Sequence, residues 1–381
     1  MDFALSEDLE VLREAAAQFA QDQLATRAAE ADKAEAFVAD QIRLCADQGF
    51  LGMAVPEEYG GSELGALGTS LVLMEVNKAC ASTGVTLSVH NSLACESLLR
   101  FGSDAQKQNY LPKLASGEWL GAYALSEEGS GSDAGSLVCK AEPDGDGGYV
   151  LTGSKLWITH GNHADLVVVF ARTDLEAGTK GITAFLVETA WDGYKPGKKE
   201  LKMGLRGSDT VEIQLDGVRV PAENVLGEPN RGFPIAMSLL DTGRIGIASQ
   251  AIGIAEACLE ASVKYAKERE QFGKPIAAFG AIQEKVADMA TGIDAARLLV
   301  YRAATLKDDG KDHGREASMA KLAASRHANW CAKEAVQIHG GAGYTRDFPV
   351  ERYMRDARVT EIYEGTTEIQ KLVIARSYLR D

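Results

Sequence analysis

The chain has 381 residues, 45% hydrophobic and 25% charged, which allows two or three domains and a sizeable core. A formal net charge of −15 excludes the basic footprint of a nucleic-acid binder and leaves room only for local basic pockets. Six scattered cysteines, with no CxxC pair and no His/Cys metal spacing, point to a reducing, cytoplasmic compartment and to no metal site.

The opening stretch, MDFALSEDLEVLREAA, is acidic and amphipathic, unlike a signal or Arg-rich transit peptide. No apolar run approaches the roughly 18 residues of a membrane span, so no membrane partner is expected. Leu5, Leu9, Leu12, Ala16, Phe19 and Ala20 share one helical face after a Ser6 cap, predicting a helix over 5–30. Further helical patterns cover 39–49, 66–81, 85–101 and 103–115. Near residue 120 the character changes. DGDGGYVLTG predicts a turn leading into a strand, and ADLVVVFAR and GITAFLVET are short apolar runs bounded by turns. In TVEIQLDGVRV, Val211, Ile213 and Leu215 alternate with Glu212, Gln214 and Asp216. From about 231 the pattern is helical again, over 233–268, 278–308 and 315–338. Helices, then strands, then helices predict three domains without βαβ alternation: helical over 1–120, antiparallel β over 121–229, and helical over 230–381.

Five stretches carry candidate chemistry. YALSEEGSGSDAGS (123–136) has glycines spaced GxGxxxG, one residue too long for the dinucleotide fingerprint and outside a βαβ frame. It is either a polar turn or a loop whose N–H groups and hydroxyls approach a phosphate or a flavin edge. SKLWITHG (154–161) ends a strand; read alone, Trp157 is core. EREQFGKPIAAFGAIQ (268–283) reads as a helix end with a surface arginine, and QIHGGAGY (337–344) as a glycine-rich cap or a site of close backbone approach. His160 and His339 read as structural as readily as catalytic. TEIYEGTTEIQ (360–370) holds Glu361, Glu364 and Glu368; Thr367 with Gln370 matches a capping box that starts the last helix and leaves Glu368 in its first turn. Taken locally, each glutamate is surface charge or base.

Taken together, these blocks, with LGMAVPEEYGG, MGLRGSDT and LLDTGRIGIASQAIGIA, resemble the acyl-CoA dehydrogenase family over essentially the whole chain. DTGRIGIASQ and TEIYEGTTEIQ look most like its short-chain, butyryl-CoA-type branch. The resemblance implies a helical N-terminal domain, a middle β domain, a C-terminal four-helix bundle, and a homotetramer built as a dimer of dimers. It implies FAD as cofactor and an acyl-CoA, short in chain, oxidised to the trans-2-enoyl-CoA in fatty acid β-oxidation. Electrons would pass to an electron-transfer flavoprotein.

By the same resemblance Glu364 is the base, taking the α-proton while the β-hydrogen leaves as hydride to the flavin. The Glu364 N–H and a ribityl hydroxyl would polarise the thioester carbonyl. Flavin contacts are implied for Tyr123, Leu125, Ser126, Gly131 and Ser132, and for Trp157, Ile158 and Thr159 at the ring. Arg269, Gln271, Phe272, Gln337, Gly340 and Gly341 would reach the FAD of a neighbouring subunit. Thr366, Thr367 and Glu368 would bind FAD just past the base. Ser132, Asp241, Thr242, Gly243, Arg244 and Gly365 would contact acyl-CoA. Three positions depart from the family pattern: Glu128 where Pro is common, His160 where Asn is common, and Gly280 where Gln usually meets FAD. Alternatives are an acyl-CoA oxidase, whose chains are usually far longer, a non-catalytic acyl-CoA or flavin-binding protein, and a nitroalkane-oxidising relative, which would use Asp as base.

Overall fold

The structure, a computed structural model, describes residues 4–379. Helix α1 (Glu7–Phe19) starts at Ser6, whose hydroxyl accepts from Leu9 N at 3.4 Å. The single helix expected over 5–30 is interrupted by a π-helical turn (Ala20–Ala25) before α2 (Thr26–Ala34). The buried residues here, Ala16, Ala20, Leu24 and Ala28, recur every fourth position. In an α-helix that spacing drifts by about 40° per step; a wider i→i+5 turn takes up the drift and keeps the stripe on the core.

Next come α3 (Ala39–Asp47), α4 (Gly65–Ala79) and α5 (Ala81–Val89). A second π turn (His90–Cys95) leads into α6 (Glu96–Phe101), and α7 (Asp104–Ala115) follows. Ser103 and Gln106 form a reciprocal capping box at the start of α7.

The sheet holds β1 (Gly121–Ala124), β2 (Lys140–Pro143), β3 (Tyr149–Thr159), β4 (Leu166–Arg172), β5 (Ile182–Glu188), β6 (Tyr194–Lys199), β7 (Thr210–Val220) and β8 (Val225–Leu226). Their order is β6-β7-β3-β2-β4-β5-β8, with β1 beside β4. It is not purely antiparallel as expected, because β1 and β2 both pair parallel to β4. The long excursion through β2 and β3 between β1 and β4 supplies the connection that a parallel neighbour needs. Along β4, Leu166, Val168 and Phe170 face the helices while Val167, Val169 and Ala171 face β3 and β7. Both faces are covered, hence the unbroken apolar run. In β7, Val211, Ile213 and Leu215 are buried as expected; Gly217 at φ +73° then adds a bulge that returns Val218 and Val220 to the same side.

Helix α8 (Gly232–Glu268) is followed by the small hairpin β9 (Glu270–Gln271) and β10 (Lys274–Pro275). Then come α9 (Gly280–Asp308), α10 (Gly314–His339), α11 (Val350–Arg358) and α12 (Thr367–Leu379). Helices α8, α9 and α10 pack against one another, α12 adds a fourth against α10, and α4 lies along α8. All six cysteines are free and buried. Among the described residues no helix is long and apolar enough to cross a membrane.

Candidate active site

The site is built on a strained turn. Glu364 has φ +51° and Gly365 φ +93°, two consecutive left-handed residues. Glycine takes this conformation freely, whereas a glutamate there costs on the order of 1–3 kcal/mol and persists only if its surroundings impose it. They do. Lys321 Nζ on α10 donates to Gly365 O at 2.7 Å, and Gln370 Nε2 donates to Glu364 O at 3.1 Å and Gly365 O at 2.8 Å. Both side chains are fully buried. The expected cap shifts by one residue: Thr366 Oγ1, not Thr367, accepts from Ile369 N at 3.4 Å, and Gln370 reaches back to the carbonyls of Glu364 and Gly365 instead of completing a capping box. With threonine at both 366 and 367, the local pattern does not separate the two registers.

The turn drives the Glu364 carboxyl against α8. A Cβ added to Gly243 would overlap Oε2 of Glu364, lie 2.9 Å from its Cδ and 3.2 Å from Leu93 Cδ2. Oε2 is out of solvent and has no hydrogen-bond partner among the described residues. Burial pushes this carboxyl up to about 7, against the pull of Lys321 and Arg244. The buried phenols of Tyr123 and Tyr363 are raised by burial first and by the Glu364 charge second. The other two glutamates differ. Glu361 pairs with Arg358, and Glu368 is exposed in the first turn of α12, where backbone N–H and Thr366 hold its carboxyl below the ordinary range.

Beside Gly243, the Arg244 guanidinium is nearly buried and donates to Asp241 at 2.5 Å and to Ser318 Oγ at 3.4 Å. Arg244 Nε and Thr242 Oγ1 are buried without partners among the described residues. These are polar groups set back from solvent beside the Glu364 carboxyl, as the walls of a polar ligand channel would be.

The 126–138 loop is fastened by a buried ion pair that sequence reasoning missed. Lys155 Nζ meets Glu127 Oε1 at 2.7 Å and Leu125 O at 3.1 Å, while the same carboxylate accepts from Val138 N and Cys139 N. Above it, the pairing of β3 with β7 jumps from Lys155–Ile213 to Ile158–Val211. That bulge throws Trp157 outward at φ +63° and 61% exposure while Ile158 stays in the core. Trp157 is therefore not core. A bulky residue with positive φ is a backbone outlier that its surroundings must impose. Added Cβ atoms at Gly129 and Gly131 would meet nothing within 4 Å, so the loop faces open space there; it carries Ser126 and Ser132, and Leu156 N on β3 donates to Ser126 O at 2.9 Å. His160, by contrast, is fully buried. Its Nε2–H donates to Gly121 O at 2.8 Å, and burial lowers it to about 3, so it props β1 as a neutral ring.

The remaining expected contacts lie elsewhere. Arg269 caps the far end of α8, 26 residues beyond Gly243, or about 39 Å at 1.5 Å per residue. Gln271 and Phe272 continue on the hairpin, Phe272 at 93% exposure. Gln337, Gly340 and Gly341 are exposed at the C-terminal end of α10. The two ends meet: His339, whose Nδ1–H donates to Ala335 O, stacks on Tyr265 at 4.3 Å. One chain thus carries two separate clusters, with Glu364 in one and Arg269 in the other. No group of three or more His, Cys, Asp or Glu that could hold a metal occurs among the described residues.

Family models for the acyl-CoA dehydrogenase N-terminal, middle and C-terminal domains match residues 6–118, 122–218 and 230–379 in that order. The chain belongs to the acyl-CoA dehydrogenase family and is an FAD-dependent enzyme of that class. It is 49% identical over 376 residues to the mitochondrial short-chain specific acyl-CoA dehydrogenase of Rattus norvegicus, covering 99% of this chain and 91% of that protein. Its fold is similar to that of butyryl-CoA dehydrogenase from Megasphaera elsdenii (TM-score 0.98, 44% identity, all of both chains). It is also similar to a chain in a structure of the electron transferring flavoprotein of Acidaminococcus fermentans (TM-score 0.98, 48% identity, all of both chains). The residues present suit a flavin: an exposed indole on a bulged strand, and a glycine loop open to space beside hydroxyl side chains.

Proposed function

We propose that this enzyme oxidises a short-chain acyl-CoA to its trans-2-enoyl-CoA, with Glu364 as the base, and passes the electrons to an electron-transfer flavoprotein. The observation that carries the reading is the Glu364 carboxyl: buried, unpartnered at Oε2, and pushed up to about 7 in the space that Gly243 leaves open. An exposed carboxylate near 4.3 is a feeble base, whereas one near working pH both accepts a proton readily and is substantially ionised. The Glu364 N–H makes no hydrogen bond to another described residue, so it is free to receive the thioester oxygen as enolate charge develops.

Bound FAD supplies the acceptor for the β-hydrogen. Trp157, Ile158 and Thr159 would meet its ring, while Tyr123, Leu125, Ser126, Gly131, Ser132 and Thr366–Glu368 would line its path. Asp241–Arg244 and Gly365 would hold the acyl-CoA. Because Arg269 lies about 39 Å along α8 from Gly243, the Arg269–Phe272 and Gln337–Gly341 cluster serves the FAD of a neighbouring subunit in a homotetramer. Similarity to short-chain relatives supports the chain length. The test is anaerobic mixing of the purified yellow protein with acyl-CoAs of graded length while flavin bleaching is followed. Butyryl-CoA is expected to give the highest kcat/KM. A higher value with octanoyl- or palmitoyl-CoA overturns the chain-length assignment, and no bleaching by any acyl-CoA overturns the function.

A further inference from the structure

The base turn rests on a buried cation to which the proposed reaction gives no part. We infer that Lys321 is a positioning residue for Glu364, anchoring its turn and, by its charge, keeping its carboxylate ionised; the inference depends on the reading of Glu364 as base.

Two lysines in the described structure are fully buried, Lys155 and Lys321. Lys155 has Glu127 at 2.7 Å. Lys321 has no carboxylate within ion-pair distance among the described residues, and its ammonium donates only to Gly365 O at 2.7 Å. Anchoring alone does not call for a charge there, because Gln370 Nε2 already donates to the same carbonyl at 2.8 Å. A neutral donor would do as well, without the desolvation that a buried ammonium incurs. On the same turn, one residue before the carbonyl that Lys321 holds, Glu364 carries a carboxyl whose Oε2 is likewise buried and without a partner among the described residues. The two groups influence each other: burial lowers Lys321 to about 8 while Glu364 raises it, and burial raises Glu364 while Lys321 lowers it. Arg244 on α8 also faces both groups, and Glu361 and Glu368 act on Lys321 from the turn's own segment. From β1, the Tyr123 phenol, raised well above its ordinary range, stays neutral.

The test separates charge from hydrogen bond. Lys321→Gln keeps a donor and removes the charge; Lys321→Arg keeps the charge. The Glu364 carboxyl is titrated by difference infrared spectroscopy in FAD-loaded protein without substrate, its band assigned by loss in Glu364→Gln. In Lys321→Gln the midpoint is expected to rise by about one pH unit, the low end of what a nearby opposite charge does to a carboxylate, and in Lys321→Arg to stay at the wild-type value. The acid limb of flavin reduction by butyryl-CoA should move the same way. A wild-type midpoint in Lys321→Gln, however slow the variant, overturns the inference. Lys321→Met, similar in length and uncharged, gives a second reading if the Gln variant does not fold. The infrared midpoint needs no acyl-CoA, so failure here is distinct from failure of the proposed reaction.

Discussion

Glu364 and Gly243 share one volume: the carboxyl oxygen of the first occupies the space where the second would carry a side chain. A side chain at position 243 would start where the Glu364 carboxyl ends, although it comes from a different element. Glu364→Gln, which keeps shape and removes basicity, should leave FAD and acyl-CoA binding nearly intact and slow flavin reduction by roughly 10²–10⁴. Glu364→Gly should be equally slow. Adding Gly243→Glu to it should restore measurable reduction below wild type, because the supporting turn was built for the other backbone. Gly243→Ala alone should slow reduction by displacing the carboxyl. Stopped-flow bleaching with butyryl-CoA checks all four; near wild-type reduction by Glu364→Gln refutes the base assignment.

Asp356 supplies a pH-dependent stability test. It is buried on α11, accepts from Leu205 N at 2.6 Å, and is pushed up by burial to about 6, partly offset by the Leu205 N–H and Arg352. Because the folded state favours the protonated form relative to an unfolded value near 3.9, the stability it contributes is full below that value and lost as pH rises through about 6. Asp356→Asn keeps an acceptor and removes the charge. Its melting temperature relative to wild type should be more favourable at about pH 8 than at about pH 4.5. A difference independent of pH, or one that runs the other way, counts against this.

Arg269 is exposed in the single chain, yet the proposed assembly gives it an anion to bind. Arg269→Ala should weaken both FAD retention and tetramer stability. Gel filtration and flavin content measured on the same samples decide it, and a monomer that holds FAD tightly would refute the shared site.

Gly280 opens α9, and a Cβ added there would meet nothing within 4 Å. The first atom of a side chain there therefore displaces nothing among the described residues. If relatives gain one neutral hydrogen bond to FAD from that position, Gly280→Gln should tighten FAD binding by about 0.5–1.5 kcal/mol, roughly 2- to 12-fold. An unchanged or weaker dissociation constant means that another group already fills the role.

The helix–strand–helix order was legible because amphipathic periods of 3.6 and 2 survive in the sequence wherever one face is buried. The two π turns and the parallel placement of β1 and β2 were not, since they depend on what packs opposite. Glu364 emerged from the YEGT block by resemblance; local pattern left it equal to Glu361 and Glu368, because burial of one carboxyl is a tertiary fact. Trp157 misled for the opposite reason: a strand tryptophan is ordinarily core, and only the bulge exposes it. Lys321 and the Glu127–Lys155 pair were missed because charged residues within periodic segments read as solvated, and Gln370 was read as a helix cap because its contacts to the Glu364 and Gly365 carbonyls depend on the turn. One signal was present. Lys321 sits on a stripe of small residues, with Ala317, Ser318, Ala324 and Ser325 three and four positions either side, the face that α10 buries.

The separation of Arg269 from Gly243 along α8 bears on mixtures of damaged subunits. If each FAD is held partly by a neighbour, a Glu364→Gln subunit still lends a sound Arg269, and an Arg269→Ala subunit still carries a sound base. Co-expressed, two individually crippled chains should complement each other: the site pairing the base of the second with the arginine of the first has both parts, while its reciprocal has neither. Mixed tetramers should therefore recover part of the flavin reduction that neither parent shows, and dissociation into single chains should abolish it.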